Sequence, residues 1–318
     1  MSARLHGGAR GGWQAAAPGR KRRGGPAPRT SPRWLGDAPQ RSYARKLDLF
    51  GRFIAPELRR VFADLRLPAT GAVLDLGCGT GVATAVLREA LAPSVLLVGT
   101  DLSMPHLAAA RRHHAQPLVQ SDAARPAFRH GAFDLIWACN AINHLADPAA
   151  AVRALGGLLR DGGRLAIAQS GLLPEMFFAW DAALDDAVRD ACHAHYRERY
   201  GLAPDDVTGI RALVGWLRAA GFDGVTARTY VIERTQPLSE ADREYFQEAV
   251  FEGTWGGKAE HHLDPAARGR LRRYCDPASP EYCLDRPDFH HLQTLTVCVG
   301  TRSAARGRRR AVAARGDS

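Results

Sequence analysis

Residues 73–81 read Val-Leu-Asp-Leu-Gly-Cys-Gly-Thr-Gly, and this stretch constrains the fold more than any other. An apolar run ends in an acid, three glycines then alternate with small residues, and Val82, Val86 and Leu87 follow at helical spacing. Such a pattern reads as a buried strand, a tight loop and the first turns of a helix. The glycines let the backbone turn sharply and lie against a ligand, and the helix start aims its N–H groups at the loop. A strand buried at this length and feeding directly into a helix belongs to a parallel α/β sheet.

The following segments repeat the unit. Val95–Val98 leads to Gly99-Thr100-Asp101, and Ser103-Met104-Pro105 supplies an N-cap with a proline in the first turn. Leu118-Val119 is a short third strand, Phe133–Ala138 a fourth and Arg164–Ala168 a fifth. Asp147-Pro148 starts the helix between the last two, and Asp161-Gly162-Gly163 closes it. Before the first strand, Leu47, Phe50, Ile54, Leu58, Val61, Phe62 and Leu65 recur at helical spacing, and Pro56 is expected to split them into two helices. After residue 170 the rhythm changes. Residues 171–203 and 204–220 read as helical, and Val225–Ile232 and Leu295–Val299 read as strands on either side of an insert of about sixty residues. The expected fold is a doubly wound, Rossmann-like sheet of seven strands, mostly parallel, with an antiparallel strand at its edge and helical lid insertions.

Charge separates the chain into three parts. Residues 1–46 carry eleven Lys/Arg against Asp37, and residues 301–318 carry six Arg against Asp317. The net charge of +10 therefore leaves residues 47–300 at about −5. The expected organisation is a disordered basic tail over 1–42, one domain over 43–300 and a second basic tail over 301–318. Within the domain, 72–170 forms the ligand-binding core, and about 171–203 and 235–291 form a lid. The acidic core gives no case for nucleic-acid binding. No apolar run reaches the roughly 20 residues of a membrane span, so a cytoplasmic protein is expected. Six scattered cysteines show no Cys-x-x-Cys spacing, and no metal site is expected.

The spelling of the loop selects its ligand. Gly77-x-Gly79-x-Gly81 is not the Gly-x-Gly-x-x-Gly of dinucleotide sites. Asp75 sits where a pyrophosphate would be repelled and an α-amino group welcomed. S-adenosylmethionine carries an amino group and a sulfonium and has no phosphate. Asp101, twenty residues after Gly81, can accept ribose hydroxyls, as an acid there also does for NAD. Leu102 and Met104 are expected to pad the adenine. Asp122 either accepts the adenine amine or is an ordinary turn acid. Cys78 reads as a small loop filler.

In order and spelling, these features resemble the class I S-adenosylmethionine-dependent methyltransferases, in particular the small-molecule group that includes ubiquinone-type enzymes. The resemblance rests on Leu74–Gly81, Asp101, Ser121-Asp122-Ala123, Asn140–Leu145 after the fourth strand, and Leu158–Leu165, where Asp161 replaces the family's usual proline. It implies a cofactor site built from Asp75, Gly77, Cys78, Gly79, Gly81, Asp101, Leu102, Met104, Asp122, Ala123 and Asn140.

Methyl transfer from a sulfonium needs alignment above all, and a base only where the acceptor must lose a proton. His144, His193 and His195 are the candidates for that base, with His144 placed best just past the fourth strand. His193 shares a helix face with Tyr196. Phe177, Phe178, Trp180, Tyr245, Phe246, Phe251 and Trp255 are expected to form an apolar lid over a small hydrophobic or aromatic acceptor, and Tyr43 or Phe50 to approach the sulfonium. Asn140-Ala141-Ile142-Asn143 lacks the prolines of the DNA amino-methyltransferase motif. The competing possibilities are an RNA or protein methyltransferase docking through its basic tails, an NAD-type oxidoreductase and a non-catalytic cofactor-binding module.

Overall fold

The computed structural model describes residues 43–170, 180–201 and 209–303. Seven strands form one sheet in the order β3-β2-β1-β4-β5-β7-β6. They are β1 (Ala72–Leu76), β2 (Leu96–Asp101), β3 (Leu118–Gln120), β4 (Phe133–Cys139), β5 (Leu159–Ser170), β6 (Phe222–Thr235) and β7 (His290–Arg302). The first five run parallel, and β7 pairs antiparallel with both β5 and β6. The antiparallel strand therefore lies one place in from the edge, and β6 forms the edge itself. β7 continues through Arg302, past the boundary expected at residue 300.

Alternation along the strands builds two cores. Val73, Leu135, Trp137 and Ala166 point to one face, which is covered by α1 (Ala44–Asp64), α2 (Val82–Ala90) and α5 (Ala182–Tyr200). Leu74, Leu76, Ile136, Leu165 and Ile167 point to the other, under α4 (Pro148–Leu158) and α6 (Gly209–Ala219). The period of two that defines a strand thus puts apolar side chains on both faces, as a sheet with helices on each side demands.

The expected break at Pro56 does not occur: α1 is one helix of 21 residues with Pro56 inside it. Pro56 itself is exposed, whereas Phe53, Ile54, Leu58, Val61 and Phe62 are buried. A proline in a helix interior costs about 3 kcal/mol. Fully burying each such apolar side chain returns about 1.5–3 kcal/mol, so the packed face outweighs the lost backbone bond.

Between β6 and β7 the chain forms α7 (Glu240–Glu244), a stretch of π-helix over Tyr245–Gly256, and α8 (Pro265–Cys275). The aromatic residues expected to form a lid serve largely as core here. Tyr245, Phe246, Phe251 and Trp255 are buried and belong to the same cluster as α1. Phe53 stacks on Tyr245 at 4.0 Å, and Phe251 stacks on Trp255 at 5.4 Å. Phe177 and Phe178 lie outside the described residues.

Candidate active site

The order of the strands reverses between β1 and β4, and a cleft opens beyond their carboxyl ends, where open α/β sheets bind ligands. Two loops meet there. A Cβ on Gly77, at φ +73°, would come 2.7 Å from the Cβ of Ala141 in the loop after β4. Only a residue without a side chain lets the two loops close together in this way. The end of β2 holds the glycine loop in place: Thr100 O accepts from Gly77 N at 2.7 Å and from Cys78 N at 2.8 Å.

Asp75 lies beneath the loop with 2% exposure and accepts a hydrogen bond from Thr84 Oγ1 at 2.6 Å. Burial pushes its carboxyl up to about 7; the Thr84 bond opposes this and the nearby Asp101 charge adds to it. Asp101 does more than face a ligand. Its Oδ2 accepts from Gly79 N at 2.9 Å, and its Oδ1 accepts from Ser103 N at 2.8 Å. The same residue therefore ties the glycine loop to the start of α3 (Met104–Ala110). Asn140 adopts φ +50°, a left-handed conformation that Asn tolerates better than most residues. Its N–H donates to Ala168 O, and its Oδ1 accepts from Ser170 N at 2.9 Å. It thereby joins the ends of β4 and β5 at the cleft. His144 ends a 3-10 turn (Ile142–His144), lines the cleft, and has its ring 6.4 Å from that of Tyr200.

Of the residues expected from sequence, Asp75, Gly77, Cys78, Gly79, Asp101, Leu102, Ala123, Asn140 and His144 line this cleft. Gly81, Met104, Asp122 and His193 do not. A Cβ on Gly81 would meet His114 and Ala110, away from the cleft. Met104 is 47% exposed at the start of α3. Asp122 Oδ1 accepts from Ala124 N at 2.9 Å, the bond of a local turn. His193 is held below the ordinary histidine range by burial and by Arg197, and it also feels Arg211 of α6. Burial raises the Cys78 thiol, which suits a loop filler and not a nucleophile.

The cleft also takes residues that the sequence signalled weakly or not at all. Tyr43, Leu47, Phe50 and Ile54 form one stripe of α1 and its N-cap that lines the cleft, with Leu47 packed against the glycine loop at Gly79. Their spacing of three to four marks them as one face, but it could not tell the cleft from the core. Thr84, the partner of Asp75, and His106, which lines the cleft, were also missed. Among the described residues no group of three or more His, Cys, Asp or Glu is placed to hold a metal ion.

A family profile described as a methyltransferase domain matches residues 74–167, the stretch from β1 to β5. The nocamycin O-methyltransferase of Saccharothrix syringae is 30% identical over 207 residues, covering 59% of this chain and 72% of that one. The chain belongs to the class I S-adenosylmethionine-dependent methyltransferases. As in other members of this family, its cofactor is S-adenosylmethionine. The malonyl-[acyl-carrier protein] O-methyltransferase of Pseudescherichia vulneris is 36% identical over 134 residues, covering 40% of this chain and 52% of that one. Against some relatives the match thus spans only a third to about half of the relative's length. A methyltransferase from an antibiotic biosynthesis pathway of Anabaena variabilis shares the fold, with a TM-score of 0.50 at 13% identity over 76% of this chain and 96% of that one. The cleft of this methyltransferase fits the cofactor on its own features. The three loop glycines all have positive φ, and the loop carries no side chain larger than Cys or Thr between β1 and α2. The buried Asp75 offers a partner to a cation, and Asp101 faces the cleft from the end of β2.

Proposed function

We propose that this chain transfers a methyl group to an oxygen or carbon of a small, hydrophobic or aromatic organic acceptor. The carrying observation is the composition of the cleft wall. Leu47, Phe50 and Ile54 line the cleft beside the polar loops, and from Phe50 the rings continue to Tyr245 at 5.9 Å. From His144, on the other side, they continue through Tyr200 to Tyr196, which stacks on Tyr200 at 5.9 Å. An apolar wall facing a few convergent polar groups suits an organic acceptor of this type. Relatives named for O-methylation of small molecules, such as the nocamycin enzyme, support the same class.

S-adenosylmethionine, when bound, supplies a methyl group already activated on a sulfonium. The protein residues then bind, orient and exclude water. Asp75 is the partner for the cationic end, and Asp101 for the ribose. Asn140 fixes the loop after β4, on which His144 stands at the cleft. His144 takes the proton of an acceptor hydroxyl as that oxygen attacks. Orientation of the two reactants supplies about 7–11 kcal/mol of the barrier.

The test is turnover of S-adenosylmethionine to S-adenosylhomocysteine by the full chain with a panel of phenolic and aliphatic hydroxyl acceptors, read together with product mass. A methylated product from apolar acceptors is expected, and cofactor binding without transfer to any of them would sink the proposal. Asp101→Ala should weaken cofactor binding about 10- to 100-fold, as loss of a hydrogen bond to a charged group implies. His144→Gln should lower kcat about 100-fold or more while leaving the calorimetric affinity for S-adenosylhomocysteine in place. An unchanged kcat would remove His144 as the base.

A further inference from the structure

Positive charge gathers beside one end of the cleft. Lys46 precedes Leu47 in α1 and falls between Tyr43 and Phe50 at spacings of three and four, so it flanks the stripe that lines the cleft. It is half-buried, and its ammonium donates to Thr254 Oγ1 at 2.7 Å. Thr254 gives its own hydrogen to Ala249 O at 2.8 Å, so it offers Lys46 a neutral oxygen and no charge. Burial and the charges of Lys258 and Arg199 push the lysine down to about 8.

The groups that act on this ammonium are cationic or neutral. Arg199 stands near the C-terminal end of α5, with its guanidinium carbon 6.0 Å from the centre of the Tyr200 ring. His195, one turn earlier, feels Arg199, Lys258 and His262. Glu198, the acid that His195 also feels, is exposed and lies 3.5 Å from His262. The Cys192 thiol near Lys46 is raised by burial to about 12 and stays protonated. Among the described residues no carboxylate forms an ion pair with Lys46. The two aromatic arms of the cleft also meet at this place. Phe50 leads to Tyr245, whose phenol feels Tyr196, and His144 leads to Tyr200, on which Tyr196 stacks.

We propose that the methyl acceptor carries an acidic group, a carboxylate or a phosphate ester, and that Lys46 selects it. A half-buried ammonium beside other cations is costly, and an acidic acceptor supplies the counterion. Thr254 holds the lysine in place, and Arg199 and Lys258 add to the field that draws an anion in. This inference rests on the reading of the cleft as the site of a small organic acceptor.

Calorimetry on the full chain saturated with S-adenosylhomocysteine tests it at about pH 7, with benzoate, phenyl phosphate and the neutral benzamide as probes. At least one charged probe should bind the native chain about 10-fold or more tightly than benzamide, as a hydrogen bond to a charged group implies. Tighter binding of benzoate assigns a carboxylate, and tighter binding of phenyl phosphate a phosphate. Lys46→Gln, which keeps a donor for Thr254 but no charge, should bring the charged probes to within about threefold of benzamide, and Lys46→Arg should keep the preference. Equal affinity of the native chain for all three probes, or failure to bind any of them, would overturn the proposal. So would a preference that survives in Lys46→Gln, or a loss in that variant equal for charged and neutral probes, which a purely structural lysine would give. Turnover separates this inference from the functional reading. Methyl transfer to neutral phenols with no preference for their carboxylated or phosphorylated counterparts would overturn the acidic group and leave the function standing. No transfer to any member of either set would overturn the function, and this inference with it.

Discussion

A carboxylate with 2% exposure, lying close to a second carboxylate, is costly to ionise, and Asp75 is in that position. Its folded value of about 7 lies above the 3.8 of an ordinary aspartate. The folded state therefore holds more protons than the unfolded state between about pH 4 and 7. Stability from this group is complete below the lower value and is lost as pH rises through the upper one. The loss amounts to at most about 4 kcal/mol at 1.36 kcal/mol for each pH unit between the two values. The chain without cofactor should thus lose stability in urea from pH 5 to pH 8, and Asp75→Asn should flatten that slope. A bound cation reverses the cost, so affinity for S-adenosylmethionine should rise from pH 6 to pH 8 in the native chain and stay level in Asp75→Asn. A level native profile would remove Asp75 from the cationic contact. This residue was legible in the sequence because its position before a glycine loop is itself a statement of geometry. Asp122 and Met104 were not, because a turn acid and a ligand acid share one spelling, and a methionine at a helix start can face either way. His193 failed for a related reason: spacing along a helix says which residues share a face, but not what that face meets.

At the scale of elements, the polar clamp of α1 is the feature with most at stake. Arg234 of β6 donates to Glu57 of α1 at 3.0 Å, to Asp242 of α7 at 2.7 Å and to Phe53 O at 2.5 Å. Its guanidinium carbon also lies 4.6 Å from the centre of the Phe53 ring. Glu57 is 3% exposed, so removing the arginine would leave a buried charge without its counterion. Breaking a buried pair from one side costs about 3–5 kcal/mol, and Arg234→Met should lower unfolding stability by that order. A change under about 1 kcal/mol would show the clamp to be incidental. Pro56→Ala should act in the opposite sense and stabilise the chain by up to about 3 kcal/mol, since α1 already runs through that position. Both effects can be read from urea midpoints at one pH. The clamp was invisible in the sequence because Glu57 and Arg234 are 177 residues apart. Pro56 misled because local propensity was weighed without the packing that overrides it.

For the whole molecule, local signals ordered the parallel half, and the two strands on either side of the insert, expected antiparallel at the sheet edge, are β6 and β7, which pair antiparallel there. Strand, loop and helix are neighbours in the chain from β1 to β5, so periodicity and turn residues order them, and the glycine loop places the cleft. Beyond β5 the strands pair across an insert, and the interior place of β7 between β5 and β6 rests on long-range register that no local pattern records. Charge is the one property that sequence distributes over the whole molecule without ambiguity. Residues 1–31 hold seven Lys/Arg and no acid, while the cofactor cleft is built from Tyr43 onward. The basic segment and the methyl-transfer site therefore make separable predictions. Deleting residues 1–31 should leave the affinity for S-adenosylhomocysteine within about twofold and the turnover of a small acceptor unchanged, because the described residues that line the cleft begin at Tyr43. The same deletion should weaken retention on a polyanionic column and flatten its salt dependence, since phosphate-like contacts made by lysine and arginine are what salt competes away. If methylation of a small acceptor survives the deletion but methylation of bulk RNA or protein is found only in the full chain, the basic segment is a docking device and the acceptor is a macromolecule. If the small-acceptor turnover is unchanged and no polymer is methylated by either form, the acceptor is decided inside the cleft, where Phe50 and His144 stand.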